Sequence, residues 1–194
     1  MLTFAAAVFF LIITPGPGVL TTAGVGSGFG YGPGVRYVAG LCIGTNAVAL
    51  VVVTGIAAIV LAEPAIRTVL VFASAAYLLY LAGRIAFAGA KVAFIERASP
   101  PGVLGGIMLQ AINPKAYAVN TALFAGYGFM PEQPTSEVLI KFAIMNAIWI
   151  PIHIAWLAAG VTLHRLNLPD RVQRAINILM ALSMLAVVAL TAVT

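Results

Sequence analysis

Lys115 has the strongest claim to chemistry in this chain. It stands in Asn113-Pro114-Lys115-Ala116, near the middle of a long apolar run. A lysine at the centre of a membrane helix costs roughly 2.5–3.5 kcal/mol on insertion scales. About ten residues separate it from either end of the run, too many for its ammonium to reach water by snorkelling. Such a cation has two uses that do not exclude one another. It can hold a substrate carboxylate, or it can satisfy carbonyls released where proline interrupts a helix. A second interruption, Thr14-Pro15-Gly16-Pro17-Gly18, lies inside the first apolar run. Irregular backbone at membrane depth is tolerated only inside protein or against a polar cavity. The two breaks are therefore expected to face each other and build a binding site.

Around the breaks, Pro15 and Pro17 fix the first, while Gly16 and Gly18 let a ligand approach the backbone. The half-helix after Gly18 would offer free N–H groups and a positive dipole end to an anion. Asn113 is placed to cap the half-helix that Pro114 opens, or to offer its amide to a substrate. Asn46 and Asn146 lie within apolar runs and must point inward, either to bond each other's helices or to touch substrate. The candidate substrate-binding set is thus Pro15, Gly16, Pro17, Gly18, Asn46, Asn113, Pro114, Lys115 and Asn146. His153, two residues after Pro151, is a candidate proton relay or a structural histidine. Tyr77, Tyr80, Trp149 and Trp156 read as interface anchors or packing, and Gly40 and Gly44 as a close helix contact.

Other chemistries lack their residues. No GxGxxG or GxxxxGK[ST] occurs, so no nucleotide site is indicated. His153 and His164 have no neighbouring carboxylate, which is not metal-site spacing. The single cysteine, Cys42, excludes an internal disulfide and a thiol relay. Asp170 is the sole aspartate and no nucleophile–base pair is visible, so neither an enzyme nor a cofactor is expected.

The elements that must position these residues are membrane helices. The chain of 194 residues is 62% hydrophobic and only 8% charged, against about 25% charged in soluble domains. Its net charge of +5 sits between apolar runs rather than on one basic face, which implies a lipid bilayer and not nucleic acid. A span needs about 20 apolar residues. Six segments qualify, at about 2–25, 37–62, 66–88, 103–129, 139–163 and 175–193. The alternating glycines from Gly24 to Gly34 read as a flexible loop, and Glu63-Pro64 as a turn. No basic residue precedes Arg36, so the first segment reads as a retained span rather than a signal peptide. Arg36, Arg84, Lys91, Arg97, Arg165, Arg171 and Arg174 fall in one set of loops, Arg67 and Lys141 in the other. The positive-inside rule puts the richer set in the cytoplasm and both termini outside.

Pro15 and Pro114 are 99 residues apart, and Asn46-Ala47 and Asn146-Ala147 are 100 apart. The expected fold is an all-α integral membrane protein, one transporter domain over 1–194. It has six transmembrane helices in a 3+3 inverted repeat, with halves at about 1–90 and 101–194 and breaks in helices 1 and 4.

With TPGP in the first span, NPKA about 100 residues later and Tyr77-Leu78-Leu79-Tyr80-Leu81-Ala82-Gly83 in the third, the chain resembles the LysE/RhtB family of amino-acid exporters. The resemblance implies export of an amino acid or similar zwitterion across the cytoplasmic (inner) membrane, driven by an ion gradient and needing no cofactor. Assembly as a homo-oligomer is open. Gly18 stands where the family usually has Asn or Asp, and the run from Tyr117 to Phe124 departs from the family's Phe-rich sequence, which marks a divergent member. The competing readings are a membrane accessory or scaffold protein and an exporter of a cation or other small solute. A cation exporter would want acidic or thiol ligands in its spans, and an accessory subunit would not need Lys115.

Overall fold

A computed structural model describes residues 1–14, 16–86, 99–166, 169, 171, 172, 174–176, 178, 179 and 182. Pro15, the 87–98 connection with Lys91 and Arg97, and most of the expected sixth span lie outside the described residues. All the regular structure described is helical: α1 (Leu2–Ile13), α2 (Pro17–Phe29), α3 (Tyr31–Val53), α4 (Ile56–Ala62), α5 (Pro64–Ala86), α6 (Gly102–Ile112), α7 (Pro114–Gly126) and α8 (Pro134–Arg165). Among these, stretches of α3, α5 and α8 are long and apolar enough to cross a membrane. The pair α1 and α2, bent by 52°, makes a fourth span when counted as one. Large apolar side chains such as Phe72 (71% exposed) and Ile59 (77%) face outward, as lipid contact requires.

Both expected breaks are present. At the first, α1 ends at Thr14 and α2 opens at Pro17 behind extended Gly16. At the second, α6 stops at Asn113 and α7 opens at Pro114. The broken helices pack on the two long ones, most extensively α6 on α3 and α2 on α8. α6 lies along α3 as α1 lies along α8, and α2 packs on α8 as α7 packs on α3. Two apolar clusters flank the breaks. Phe4, Val8, Ala49, Leu123 and Met145 form one. Val25, Tyr37, Leu41, Leu109, Trp149 and Leu157 belong to the other.

Three expectations about the chain between the spans are corrected. The glycines from Gly24 to Gly34 do not form a loop: helix runs through them on both sides of Gly30, whose φ of 81° makes the corner. The reason is contact rather than flexibility. A Cβ on Gly26 would lie 2.8 Å from Leu157 O, and one on Gly34 would lie 2.2 Å from Leu157 Cδ1. These glycines let α2 and α3 press onto α8, and tertiary packing overrides their low helix propensity. The second span is not continuous either. It breaks at Thr54-Gly55, where Gly55 adopts a left-handed φ of 77°.

Lys141 is the third correction. It is a helix residue, 2% exposed, not a loop cation. Its Nζ lies 2.8 Å from Glu137 Oε1 and donates to Phe124 O at 3.0 Å. Glu137 Oε2 accepts the N–H groups of Phe129 and Met130. This closed cluster ties the end of α7 and the following loop to the start of α8. The expected Gly40–Gly44 contact is confirmed: a Cβ on Gly40 would meet Val103 O at 2.0 Å, and one on Gly44 would meet Gln110 Cβ at 2.7 Å.

Candidate functional site

The second break shows where freed backbone groups go. Pro114 has no N–H, so the ordinary helical partner of Gln110 O is missing. That carbonyl accepts from Asn113 N–H at 3.3 Å instead. Asn113 Oδ1 takes the Lys115 N–H at 3.1 Å, a side-chain N-cap on α7. This diverts the Lys115 N–H from Ala111 O, which the Tyr117 hydroxyl then satisfies at 2.8 Å. The capping role expected of Asn113 is therefore present in the geometry.

The first break is organised differently. Gly16, the N-cap of α2, has no side chain to cap with. Pro17 has no N–H and the Leu20 N–H bonds to Gly16 O at 3.1 Å, so the uncapped N–H groups of the first turn are those of Gly18 and Val19. Across the break, Thr14 O is the carbonyl that helix continuation would have bonded. Lys115 Nζ reaches from α7 and donates to it at 2.9 Å. A Cβ placed on Gly16 would lie 2.8 Å from the same Nζ. The two breaks meet through this ammonium, as the sequence led us to expect, and the structural use of Lys115 is realised. Its position beside an uncapped helix N-terminus leaves the anion-holding use open as well.

A cavity of about 60 Å³ lies between the breaks. Its lining includes Thr14, Gly16, Pro17 and Gly18 from the first break, and Asn113 and Lys115 from the second. His153 and Trp149 close one wall. Their rings stack at 3.5 Å, and His153 Nδ1 donates to Trp149 O at 3.0 Å, because a carbonyl oxygen can only accept. His153 Nε2 is directed at the first break, 3.4 Å from where a Cβ on Gly18 would stand.

Asn46 and Asn146 are not on this lining. Each donates its amide to the other at 2.8 Å, and each also donates to the carbonyl four residues before it. They join α3 to α8, the interhelical use rather than the substrate one. Pro15 is not described, and Pro114 is not among the lining residues.

Two polar contributors escaped the sequence reading. Gln110 accepts from Asn113 Nδ2 at 3.2 Å and donates to Thr45 Oγ1, which links the second break to α3. Asn120 lines the cavity from the second turn of α7. Both are amides inside apolar runs, the signal that singled out Asn46 and Asn146.

A family model described as LysE type translocator matches residues 9–194. The chain belongs to the LysE type translocator family. This translocator is also 25% identical over 130 residues to a leucine efflux protein from Enterobacter sp. (strain 638). That alignment takes in 64% of the translocator and 62% of the relative, so it spans less than two thirds of the relative's length. No solved structure matches.

Proposed function

We propose that this translocator exports a neutral aliphatic amino acid across the cytoplasmic membrane. The observation that carries the reading is the Lys115 ammonium lodged between the breaks, at Thr14 O and beside the uncapped start of α2. A carboxylate placed there gains a cation, the Gly18 and Val19 N–H groups and a helix dipole together. The rest of the wall, including Leu11, Ile12, Val19, Val119, Leu123 and Met145, is apolar and suits an aliphatic side chain. No Asp or Glu is among the lining residues, which disfavours a cationic side chain or a metal cargo. The efflux of leucine named for the Enterobacter relative supports the same class.

The working cycle is alternating access in a six-span, 3+3 inverted repeat with both termini outside and breaks in spans 1 and 4. The packing of α1 and α2 on α8, and of α6 and α7 on α3, supports that arrangement. The contact between Asn46 and Asn146 supports it too: equivalent residues of two repeats touch each other only near the axis relating them. His153, with one ring nitrogen on Trp149 O and the other toward the first break, is the proposed proton carrier of gradient-driven export.

Lys115→Ala tests the reading. Purified into proteoliposomes, the variant is expected to remain folded and to lose efflux of radiolabelled leucine. Efflux at the wild-type rate would sink the role of Lys115.

A further inference from the structure

Asn120 is 3% exposed and sits on the cavity wall. Its Nδ2 donates to Ala116 O at 2.7 Å, and its Oδ1 has no partner. The orientation of the amide is fixed by chemistry. Flipping it would set Oδ1 against the Ala116 carbonyl, oxygen against oxygen, and would lose the bond. A buried acceptor without a donor is costly and rare in folded proteins. Asn120 is one of the residues lining the cavity, so the donor that its buried oxygen lacks can come from a ligand to which the side chain yields.

The neighbours say which donor. Lys115, Ala116, Val119, Asn120 and Leu123 all line the cavity from one side of α7. Lys115 and Asn120 are five residues apart, a rise of about 7.5 Å along the helix. An α-amino acid held by its carboxylate at Lys115 would carry its ammonium two bonds from that carboxylate, on the same wall as Asn120.

We infer that Asn120 Oδ1 accepts the substrate's ammonium and makes the translocator select α-amino acids over the corresponding amine-free acids. The inference rests on the amino-acid reading above. It adds a named residue that discriminates between ligands sharing one carboxylate and one side chain.

The test compares L-leucine with 4-methylpentanoate, which is leucine without its amine, by calorimetry on the full chain in nanodiscs. Wild type is expected to bind leucine about tenfold or more tightly than 4-methylpentanoate. Asn120→Ala is expected to weaken leucine by that factor while leaving 4-methylpentanoate unchanged, so the second ligand also reports that the variant is folded. Asn120→Ser keeps a bond to Ala116 O but withdraws the acceptor from the cavity, and is expected to behave alike. Lys115→Ala is expected to weaken both ligands together. Unchanged leucine affinity in the two Asn120 variants, or equal weakening of both ligands, overturns the role of Asn120 and leaves the export reading standing. If wild type binds neither ligand, the amino-acid reading fails and takes this inference with it.

Discussion

Asn46 on α3 and Asn146 on α8 hold each other through two reciprocal amide hydrogen bonds of 2.8 Å. Each amide also reaches the carbonyl one turn back, so one donor and one acceptor serve the neighbour helix and the second donor serves its own. Interhelical side-chain bonds inside membranes are worth about 0.6 kcal/mol on average and about 1.7 at most. Asn46→Ala and Asn146→Ala are expected to destabilise individually and to couple by about 1 kcal/mol. A double-mutant cycle on unfolding in mixed micelles measures the coupling, and additive effects would show that the pair acts as two separate residues.

Gly16 and Gly18 have different neighbours and should respond differently. A Cβ at Gly16 meets Lys115 at 2.8 Å from Nζ and 2.9 Å from Cδ. The lysine is flexible and moves aside, losing Thr14 O. Gly16→Ala is therefore expected to lower efflux by about tenfold or more with little change in thermal midpoint. At Gly18 the nearest atom is His153 Nε2 at 3.4 Å, an ordinary contact, so Gly18→Ala should retain efflux. Equal losses at both positions would contradict the placement of Lys115.

At Gly160 the obstacle is backbone. A Cβ there would stand 2.1 Å from Ala23 O, where α8 crosses α2. Neither element can yield without shifting a helix. Gly160→Ala is expected to cost about 1–3 kcal/mol, read as a lower unfolding midpoint in detergent. A midpoint equal to wild type would show that the two helices are not pressed together at this point.

The Glu137–Lys141 cluster gives an ordering of variants. Lys141→Met leaves Glu137 without its cation and Phe124 O without its donor, in a place where Lys141 is 2% exposed. Replacing both charges removes the mismatch. The expected order of thermal midpoints is wild type, then Glu137→Gln/Lys141→Met, then Lys141→Met. A double variant less stable than the single would show that the carboxylate does not depend on Lys141.

Much of the site was legible because proline and a mid-span lysine cannot be neutral in lipid. Thr14 to Gly18 and Asn113 to Lys115 had to interrupt helices, and a cation at position 115 had to find oxygen. The N-cap at Asn113 follows from residue type and its place before Pro114. The glycines between Gly24 and Gly34 were misread because glycine weakens a helix in isolation. Only a partner surface such as Leu157 shows that the missing side chain is what permits contact. Lys141 was misread for a related reason, since Glu137 is four residues away on the same helix only if the helix starts at Pro134.

The sequence by itself determined that this is a helical membrane chain, that it breaks at two proline motifs, that Lys115 must hold either a substrate carboxylate or carbonyls freed at a break, and the family it resembles. These follow from composition and local chemistry, which act wherever the chain goes. Tertiary structure decided that Lys115 crosses to Thr14 O, that Asn46 and Asn146 pair with each other, and that Asn120, on the cavity wall, keeps a buried oxygen without a partner. All three depend on which helix faces lie together, and residues distant in sequence meet only where packing puts them.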